Sequence, residues 1–365
     1  MKAWCAAGLA LSMHFAGAPA QRAHSSHAHS PDRLYSIVAS IPGPDGMWDY
    51  AAVSSQEQRL YLAQGEYISI LDLAAQSWAR TGLPGAMWHG VAPLESRGLV
   101  LGTNGQAHAL TLFDAKSRAA VSSITTSSGT KSALFGKLAK FAVLADPDAL
   151  VIEPKTGLAA AVNGGSGEVV FVDLDKQTVV GRVMVGGKLE FAVTDGRGRL
   201  YVNVQTAHEI AVIDVPTFKL VRRIPLSGCT EPKGLAYDAK LDLLISGCDN
   251  GVAKFILAEK AEVVGTLAVG RSSDAVLVDE QRHRAFVPSG DDATLSIFDI
   301  HDPHRVVLMQ TLRTEKGARL GAVDPQTGRV YLPSAKLGHP IPPRPWPSAT
   351  PGSFHVLVID LPSGS

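Results

Sequence analysis

The stretch RLYVNVQTAHEIAVIDVPTFKLVRRIPL, residues 199–226, decides the fold. It contains three runs in which apolar residues recur at every second position, and a short polar segment separates each run from the next. Alternation with period two is typical of β-strands that bury one face. The stretch therefore predicts three consecutive antiparallel strands joined by tight turns.

The same pattern occurs seven times along the chain. The first strand of this pattern, which is the second strand of the predicted blade, begins at Arg59, Gly98, Gly157, Arg199, Asp242, Arg284 and Arg329. The strand that follows ends in an acid at Asp72, Asp114, Asp173, Asp214, Asp299 and Asp360, and Leu257 replaces the acid once. With one more strand before each copy, repeats of roughly 42 residues predict an all-β, seven-bladed β-propeller of four-stranded antiparallel blades. We interpret the acids as structural, because a carboxylate at a strand end accepts N–H bonds from the next turn.

The last repeat lacks its fourth strand, since the chain stops at LVIDLPSGS. The run LYSIVASIPG, residues 34–43, has the fourth-strand pattern and precedes the first repeat. We therefore expect the N-terminal strand to complete the last blade and close the ring, which removes exposed sheet edges. The propeller is predicted over residues 34–361.

Residues 200–226 and the run RVYLPSA from Arg329 resemble the YVTN repeat, and residues 34–361 resemble the YncE-like secreted β-propellers. This resemblance implies the seven-bladed ring. Propellers of this kind include DNA-binding proteins, and lactonases occur on similar rings. No activity follows for this chain, because a fold hosts many functions.

Residues 1–20 have the form of a signal peptide, with basic Lys2, a short apolar run, and Ala18 and Ala20 before the predicted cleavage site. This predicts a periplasmic or secreted protein, and no later stretch is long and apolar enough to span a membrane. Residues 21–33 form a His-rich arm with His24, His27 and His29. We interpret the arm as a flexible linker and assign it no metal, because it offers no fixed coordination geometry.

Two segments interrupt the repeats. Residues 127–145 contain apolar residues at helical spacing, which predicts a short amphipathic helix that either covers one face of the ring or fills a groove between blades. Residues 336–352 are rich in proline, which predicts an extended loop without a ladder strand. Cys229 and Cys248 flank one predicted hairpin, and we expect them to form a disulfide beside Lys233.

The residues nine or ten positions before each repeat are polar in every blade. They are Asp49, His89, Asp148, Glu190, Lys233, Asp274 and Arg319, here called the charged ring. The start of the innermost strand lies at the mouth of a propeller's central channel, so these groups are predicted to converge there. Trp48 and Trp88 directly precede Asp49 and His89 and are predicted to line the sides of a ligand-binding site.

Two interpretations of the charged ring stay open. It binds a small polar ligand, with Lys233 or Arg319 receiving an anionic group, or its members pair with one another, Lys233 and Arg319 holding Asp274, and fix the blades in register. No cofactor is predicted, and a divalent metal at the mouth is the one alternative. The 34 basic and 34 acidic residues balance, so the charge indicates no nucleic-acid partner.

The leading functional hypothesis is a non-catalytic, monomeric protein that binds a small polar ligand or a partner protein at the channel mouth. A lactonase-like hydrolase is the alternative, with His89 or Glu190 as general base and Arg319 holding substrate charge. The chain contains no G-x-S-x-G or H-E-x-x-H motif and no Walker loop. Binding of single-stranded nucleic acid through Trp48 and Trp88 ranks third, because the basic groove of such proteins is missing.

Overall fold

The computed structural model describes residues 34–83, 86–127, 146–340 and 347–362. The predicted signal peptide, the His-rich arm and nearly all of the predicted helical insertion lie outside these ranges. Residues 34–365 form one unit by their contacts. Seven four-stranded antiparallel sheets make up this unit and confirm the predicted all-β, seven-bladed propeller.

Each of the first six blades uses four strands in chain order. Blade 1 consists of β2 (Ala51–Ser54), β3 (Arg59–Gln64), β4 (Tyr67–Asp72) and β5 (Ser77–Gly82). Blade 2 consists of β6 (Trp88–Leu94), β7 (Leu99–Asn104), β8 (Ala109–Asp114) and β9 (Ala120–Thr125). Blade 3 consists of β10 (Pro147–Glu153), β11 (Leu158–Asn163), β12 (Glu168–Asp173) and β13 (Thr178–Met184). Blade 4 consists of β14 (Leu189–Thr194), β15 (Arg199–Val204), β16 (Glu209–Asp214) and β17 (Lys219–Pro225). Blade 5 consists of β18 (Pro232–Asp238), β19 (Leu243–Cys248), β20 (Val252–Leu257) and β21 (Glu262–Ala268). Blade 6 consists of β22 (Leu277–Asp279), β23 (Arg284–Ser289), β24 (Thr294–Asp299) and β25 (Val307–Arg313).

The seventh blade combines both ends of the chain. Its sheet order is β26 (Ala322–Val323), β27 (Val330–Ser334), β30 (His355–Asp360) and β1 (Ser36–Pro42). β1 pairs antiparallel with β30, from Ser36 opposite Asp360 to Pro42 opposite His355. The predicted ring closure is thereby confirmed.

The middle strands of each blade are almost wholly buried, whereas the outermost strands consist mostly of exposed and partly exposed residues. The buried apolar side chains form clusters that each join neighbouring blades. One cluster, for example, combines Phe171 of blade 3 with Val202 and Ile213 of blade 4. A blade buries its faces only against its neighbours, so the ring folds as one unit.

The acids at the strand ends have the predicted structural role. The Asp72 carboxylate accepts hydrogen bonds from the backbone N–H groups of Ala74 and Ala75, and Asp114 accepts them from Lys116 and Ser117. These bonds hold the turn between the third and fourth strands of a blade.

The proline-rich segment differs from its prediction. Its two ends form β28 (Leu337–Pro340) and β29 (Pro347–Ala349), which pair as a separate two-stranded antiparallel sheet. The prediction of a loop without a ladder is therefore wrong at these ends. A two-stranded sheet has two free edges, so each proline can sit where the ladder needs no N–H donor.

Within the described ranges, no helix has the length and apolar character needed to cross a bilayer. The helical elements described there are two short 3₁₀ turns, Glu95–Arg97 and Gln205–Ala207.

Candidate functional site

A β-bulge re-aims the backbone at the start of four successive inner strands. In β6, Trp88 pairs with Asn104 and Val91 pairs with Gly102 of β7. Two residues of β6, between Trp88 and Val91, therefore lie opposite one residue of β7. The same irregularity occurs at the start of β10, β14 and β18. The residues inside the four bulges include His89, Asp148, Glu190 and Lys233. A bulge turns a side chain away from the regular pleat, which explains why these members of the charged ring meet at the channel mouth.

Neighbouring blades hold the bulged backbone through buried side chains. The Thr103 hydroxyl of β7 donates a 2.9 Å hydrogen bond to the Asp148 carbonyl of the next blade. In the same way, the Asn203 amide of β15 donates to the Lys233 carbonyl at 2.9 Å. These bonds satisfy carbonyls that the bulge removes from the ladder.

On one side of the mouth, carboxylates surround His89. Its Nδ1 lies 2.8 Å from Asp49 Oδ2 and 4.0 Å from Asp148 Oδ1. Its Nε2 lies 3.9 Å from Asp146 Oδ1. We call these four residues the acidic side of the mouth.

On the other side, the cations are paired. Asp274 lies between Arg319 and Lys233, with its Oδ2 2.5 Å from Arg319 Nε and its Oδ1 3.5 Å from Lys233 Nζ. Lys233 Nζ also donates to Asp249 Oδ1 at 2.8 Å. This is the pairing that the structural interpretation of the charged ring predicts, and it neutralises the basic side.

Glu190 lies between the two sides. Its carboxylate accepts a 2.7 Å hydrogen bond from Lys188 Nζ. Burial raises the pKa of Glu190, and the bond to Lys188 works in the opposite direction. Burial and the neighbouring carboxylate of Asp49 likewise raise the pKa of Asp148 well above its usual range.

The tryptophans do not face the channel. Trp48 and Trp88 are only 3% and 1% exposed. Trp88 packs edge-on against Phe113, and Trp48 against Phe354. Such burial leaves no ring face for a ligand to stack on.

The aromatic side chains described along the channel are Tyr50, Phe191 and Tyr237. Tyr50 and Phe191 directly follow Asp49 and Glu190 and pack edge-on with their centroids 4.8 Å apart. Along the inner strands of blades 1 to 4, a mostly apolar cavity of about 470 Å³ begins at this pair. Burial and the nearby carboxylates raise the pKa of Tyr50 well above its usual range, so its phenol stays neutral. The mouth thus combines charged groups with an apolar interior.

The disulfide between Cys229 and Cys248 is present, as predicted, with the two Cα atoms 5.5 Å apart. Cys248 pairs across the hairpin with Pro232. Their chain neighbours Asp249 and Lys233 form the ion pair at the basic side of the mouth. The disulfide therefore fixes the backbone that carries this ion pair.

Comparisons with known proteins support the fold and no family. No family model matches the chain, and no curated protein is similar to it in sequence. A chain in the "Crystal Structure of Mitotic Checkpoint Complex" superposes with a TM-score of 0.69 at 11% identity, covering 89% of this chain and 95% of that one. A chain of "Kuenenia stuttgartiensis Hydrazine Synthase" superposes with a TM-score of 0.64 at 12% identity, covering 80% and 92%. At such identities the likeness concerns the propeller fold alone.

The acidic side makes stability depend on pH. Burial lowers the pKa of His89, but the hydrogen bond to Asp49 and the charges of Asp49, Asp148 and Asp146 outweigh burial and raise the pKa to about 9. Because the folded-state pKa exceeds the unfolded one, the stabilisation is complete below about pH 6.5 and is lost as the pH rises through about 9.

We expect the unfolding free energy of wild type to fall between pH 6 and pH 10 by up to about 3 kcal/mol more than that of the variant His89→Gln. This follows because one unit of pKa difference between the folded and unfolded states corresponds to about 1.4 kcal/mol. Urea denaturation of chelator-treated protein at several pH values measures this difference. A histidine NMR titration with a His89 midpoint near 6.5 would contradict it.

Proposed function

We propose that this propeller is a binding protein that holds a small polar ligand at the channel mouth. The observation that carries the proposal is the convergence of side chains from neighbouring blades on the mouth, through bulges that repeat in four of them. Polar groups that converge beside an apolar cavity are typical of small-molecule sites.

The charge distribution supports a ligand with a positive charge. Asp274 and Asp249 already pair with the cations of the basic side. The acidic side brings three carboxylates around the one imidazole of His89. The group that best complements the mouth is therefore a cation on the acidic side, rather than an anion on Lys233 or Arg319.

Protonation supports binding over hydrolysis. With a pKa of about 9, His89 carries a proton at neutral pH and is a poor general base. Glu190, the other candidate base, already accepts a hydrogen bond from Lys188. The burial of Trp48 and Trp88 likewise argues against stacking of nucleic-acid bases.

We further propose that the protein is exported to the periplasm or secreted and belongs with the YVTN-type propellers. The disulfide supports an oxidising compartment, and the signal-like residues 1–20 support export. The repeats quoted above support the YVTN assignment.

A thermal-shift screen tests the binding role. In chelator-containing buffer, we expect small cationic compounds to raise the melting temperature by several degrees, because a ligand at 100 times its Kd stabilises the native state by about 2.7 kcal/mol. Sugars, lactones and oligonucleotides are screened in parallel. The hits are then repeated on Asp49→Asn and Asp148→Asn, which remove carboxylates of the acidic side, with Asp175→Asn as the control, since Asp175 is exposed and pairs with Arg97 instead of a ring residue.

We expect the shift to disappear in at least one ring variant and to persist in Asp175→Asn. If no compound shifts the melt, or if the hits survive both ring substitutions, the charged ring serves only to hold the blades in register.

A further inference from the structure

Three ligand-type side chains from three blades meet on the acidic side of the mouth. Asp49, His89 and Asp148 offer one ligand atom each, and these atoms lie within 4.8 Å of one another. Both carboxylates face the same ring nitrogen, Nδ1, at 2.8 and 4.0 Å. An imidazole nitrogen with two carboxylate oxygens is a common donor set for divalent transition metals.

The distances suit an ion placed between these atoms. Metal–nitrogen and metal–oxygen bonds are about 2.0 to 2.2 Å long, so adjacent ligand atoms lie about 3 Å apart and more widely spaced ones about 4 Å apart. The separation of Nδ1 from Asp49 matches the first spacing, and its separation from Asp148 matches the second. Small side-chain rotations are enough to close a coordination shell.

The opposite nitrogen of His89 supplies an independent observation. Nε2 is buried and has no hydrogen-bond partner among the residues that the structure describes. The carboxylate of Asp146 lies 3.9 Å away. Metal-binding histidines usually donate their second N–H to a carboxylate, which fixes the tautomer and the orientation of the ring. Asp146 is placed to be this acceptor when Nδ1 releases to solvent the proton that it shares with Asp49 and binds a metal in its place.

Gly105 keeps room for this arrangement. A Cβ atom at Gly105 would lie 2.5 Å from Asp146 Oδ1 and 3.1 Å from His89 Nε2. Any side chain there would displace the carboxylate from the imidazole. The loop between β7 and β8 therefore leaves open the space that the His89–Asp146 pair needs.

We propose that Asp49, His89 and Asp148 bind a divalent transition-metal ion such as Mn²⁺, Fe²⁺ or Zn²⁺, and that Asp146 is a positioning residue for His89. The inference rests on the proposed function and makes it more specific, because the divalent ion is itself a cation that complements the acidic side of the mouth. The imidazole ligand favours these ions over Mg²⁺ and Ca²⁺, which prefer oxygen ligands alone.

The test uses Mn²⁺ as the probe and the full chain in a background that carries His24→Ala, His27→Ala and His29→Ala. These substitutions remove the three histidines of the His-rich arm, which could bind metal themselves. The electron paramagnetic resonance signal of free Mn²⁺ gives the number of bound ions and the Kd. Pulsed measurements detect ¹⁴N coupling from a coordinated imidazole. We expect about one bound ion per chain, with ¹⁴N coupling.

In this background, His89→Gln is expected to abolish the ¹⁴N coupling and to weaken binding at least 10-fold. Asp146→Asn is expected to weaken binding by about 10-fold while the ¹⁴N coupling remains, as changes to groups behind a ligand typically do. Asp146 is 54% exposed, so this variant tests the site even if His89→Gln does not fold. The matched controls are His304→Gln and Asp175→Asn. Both residues are exposed and lie outside the charged ring, so their substitution should leave the Kd unchanged.

Absence of stoichiometric binding in the background protein would overturn the metal site. So would a Kd that neither His89→Gln nor Asp146→Asn changes, because the ion would then lie elsewhere. The thermal-shift screen is run with chelator, so compounds that bind there without metal would keep the ligand-binding proposal standing even if the metal site fails.

Discussion

Deletion of residues 34–43 is expected to abolish soluble, monomeric protein. This segment contains β1, the outer strand of blade 7, and its loss exposes the backbone N–H and C=O groups of β30 along the whole sheet edge. It also removes Tyr35 and Ile41, each only 5% exposed. Burial of two such side chains contributes about 5 kcal/mol, which is comparable with the total stability of many domains.

Soluble expression, gel filtration and thermal melting by circular dichroism measure this effect. The matched control is deletion of residues 21–33, which should change none of the three. A milder pair of variants is Ile41→Asp, expected to lower the melting temperature strongly, and Val38→Asp, where the side chain is 49% exposed and a charge should be tolerated. A soluble monomer with an unchanged melting temperature after the 34–43 deletion would contradict ring closure by this strand.

Removal of the disulfide is expected to lower the unfolding free energy by about 3 kcal/mol. Cys229 and Cys248 are 19 residues apart in sequence, and a cross-link over a loop of this length restricts the unfolded chain by about that amount. Both residues are buried, at 3% and 0% exposure, so the double variant Cys229→Ala, Cys248→Ala leaves apolar methyl groups in an apolar site.

Urea denaturation with and without a thiol reductant measures the contribution. The reductant should lower the wild-type midpoint towards that of the double variant and leave the double variant unchanged. A difference below about 1 kcal/mol would show that the disulfide adds little to stability.

The fold was largely predictable because its signal repeats. A single run such as RLYVNVQ could belong to many β proteins, but seven copies at similar spacing leave few architectures. The closing strand was predictable for the same reason, since the last copy lacks a strand that residues 34–43 supply. The disulfide followed from two cysteines at the ends of one hairpin.

The site was only partly predictable. Counting back from each repeat selected the residues of the charged ring, but it could not show the bulges, because a bulge depends on pairing with the next strand rather than on residue type. The burial of Trp48 and Trp88 was missed because it depends on packing against Phe354 and Phe113, which are distant in the sequence. Asp146 was missed because it lies at the edge of the long insertion, where the repeat spacing breaks down.

Tyr50 and Phe191 were missed although they directly follow two ring residues in the sequence. In regular strands, successive side chains point to opposite faces, so a neighbour of a channel residue would be expected to point into the blade. At the irregular start of these inner strands, this rule does not hold, and both residues reach the channel.

Under the proposed binding role, the repeated bulge separates the contacts that hold the fold from the side chains that recognise the ligand. Bonds such as that from Thr103 to the Asp148 carbonyl hold the backbone of the bulge, and they do not depend on which side chain the bulged residue carries. Exchange of that side chain therefore alters recognition at one point of the circumference while the architecture persists. Each of the four bulged blades can in this way change its contribution to the proposed site independently, and a scaffold of this kind can acquire new specificities through single substitutions.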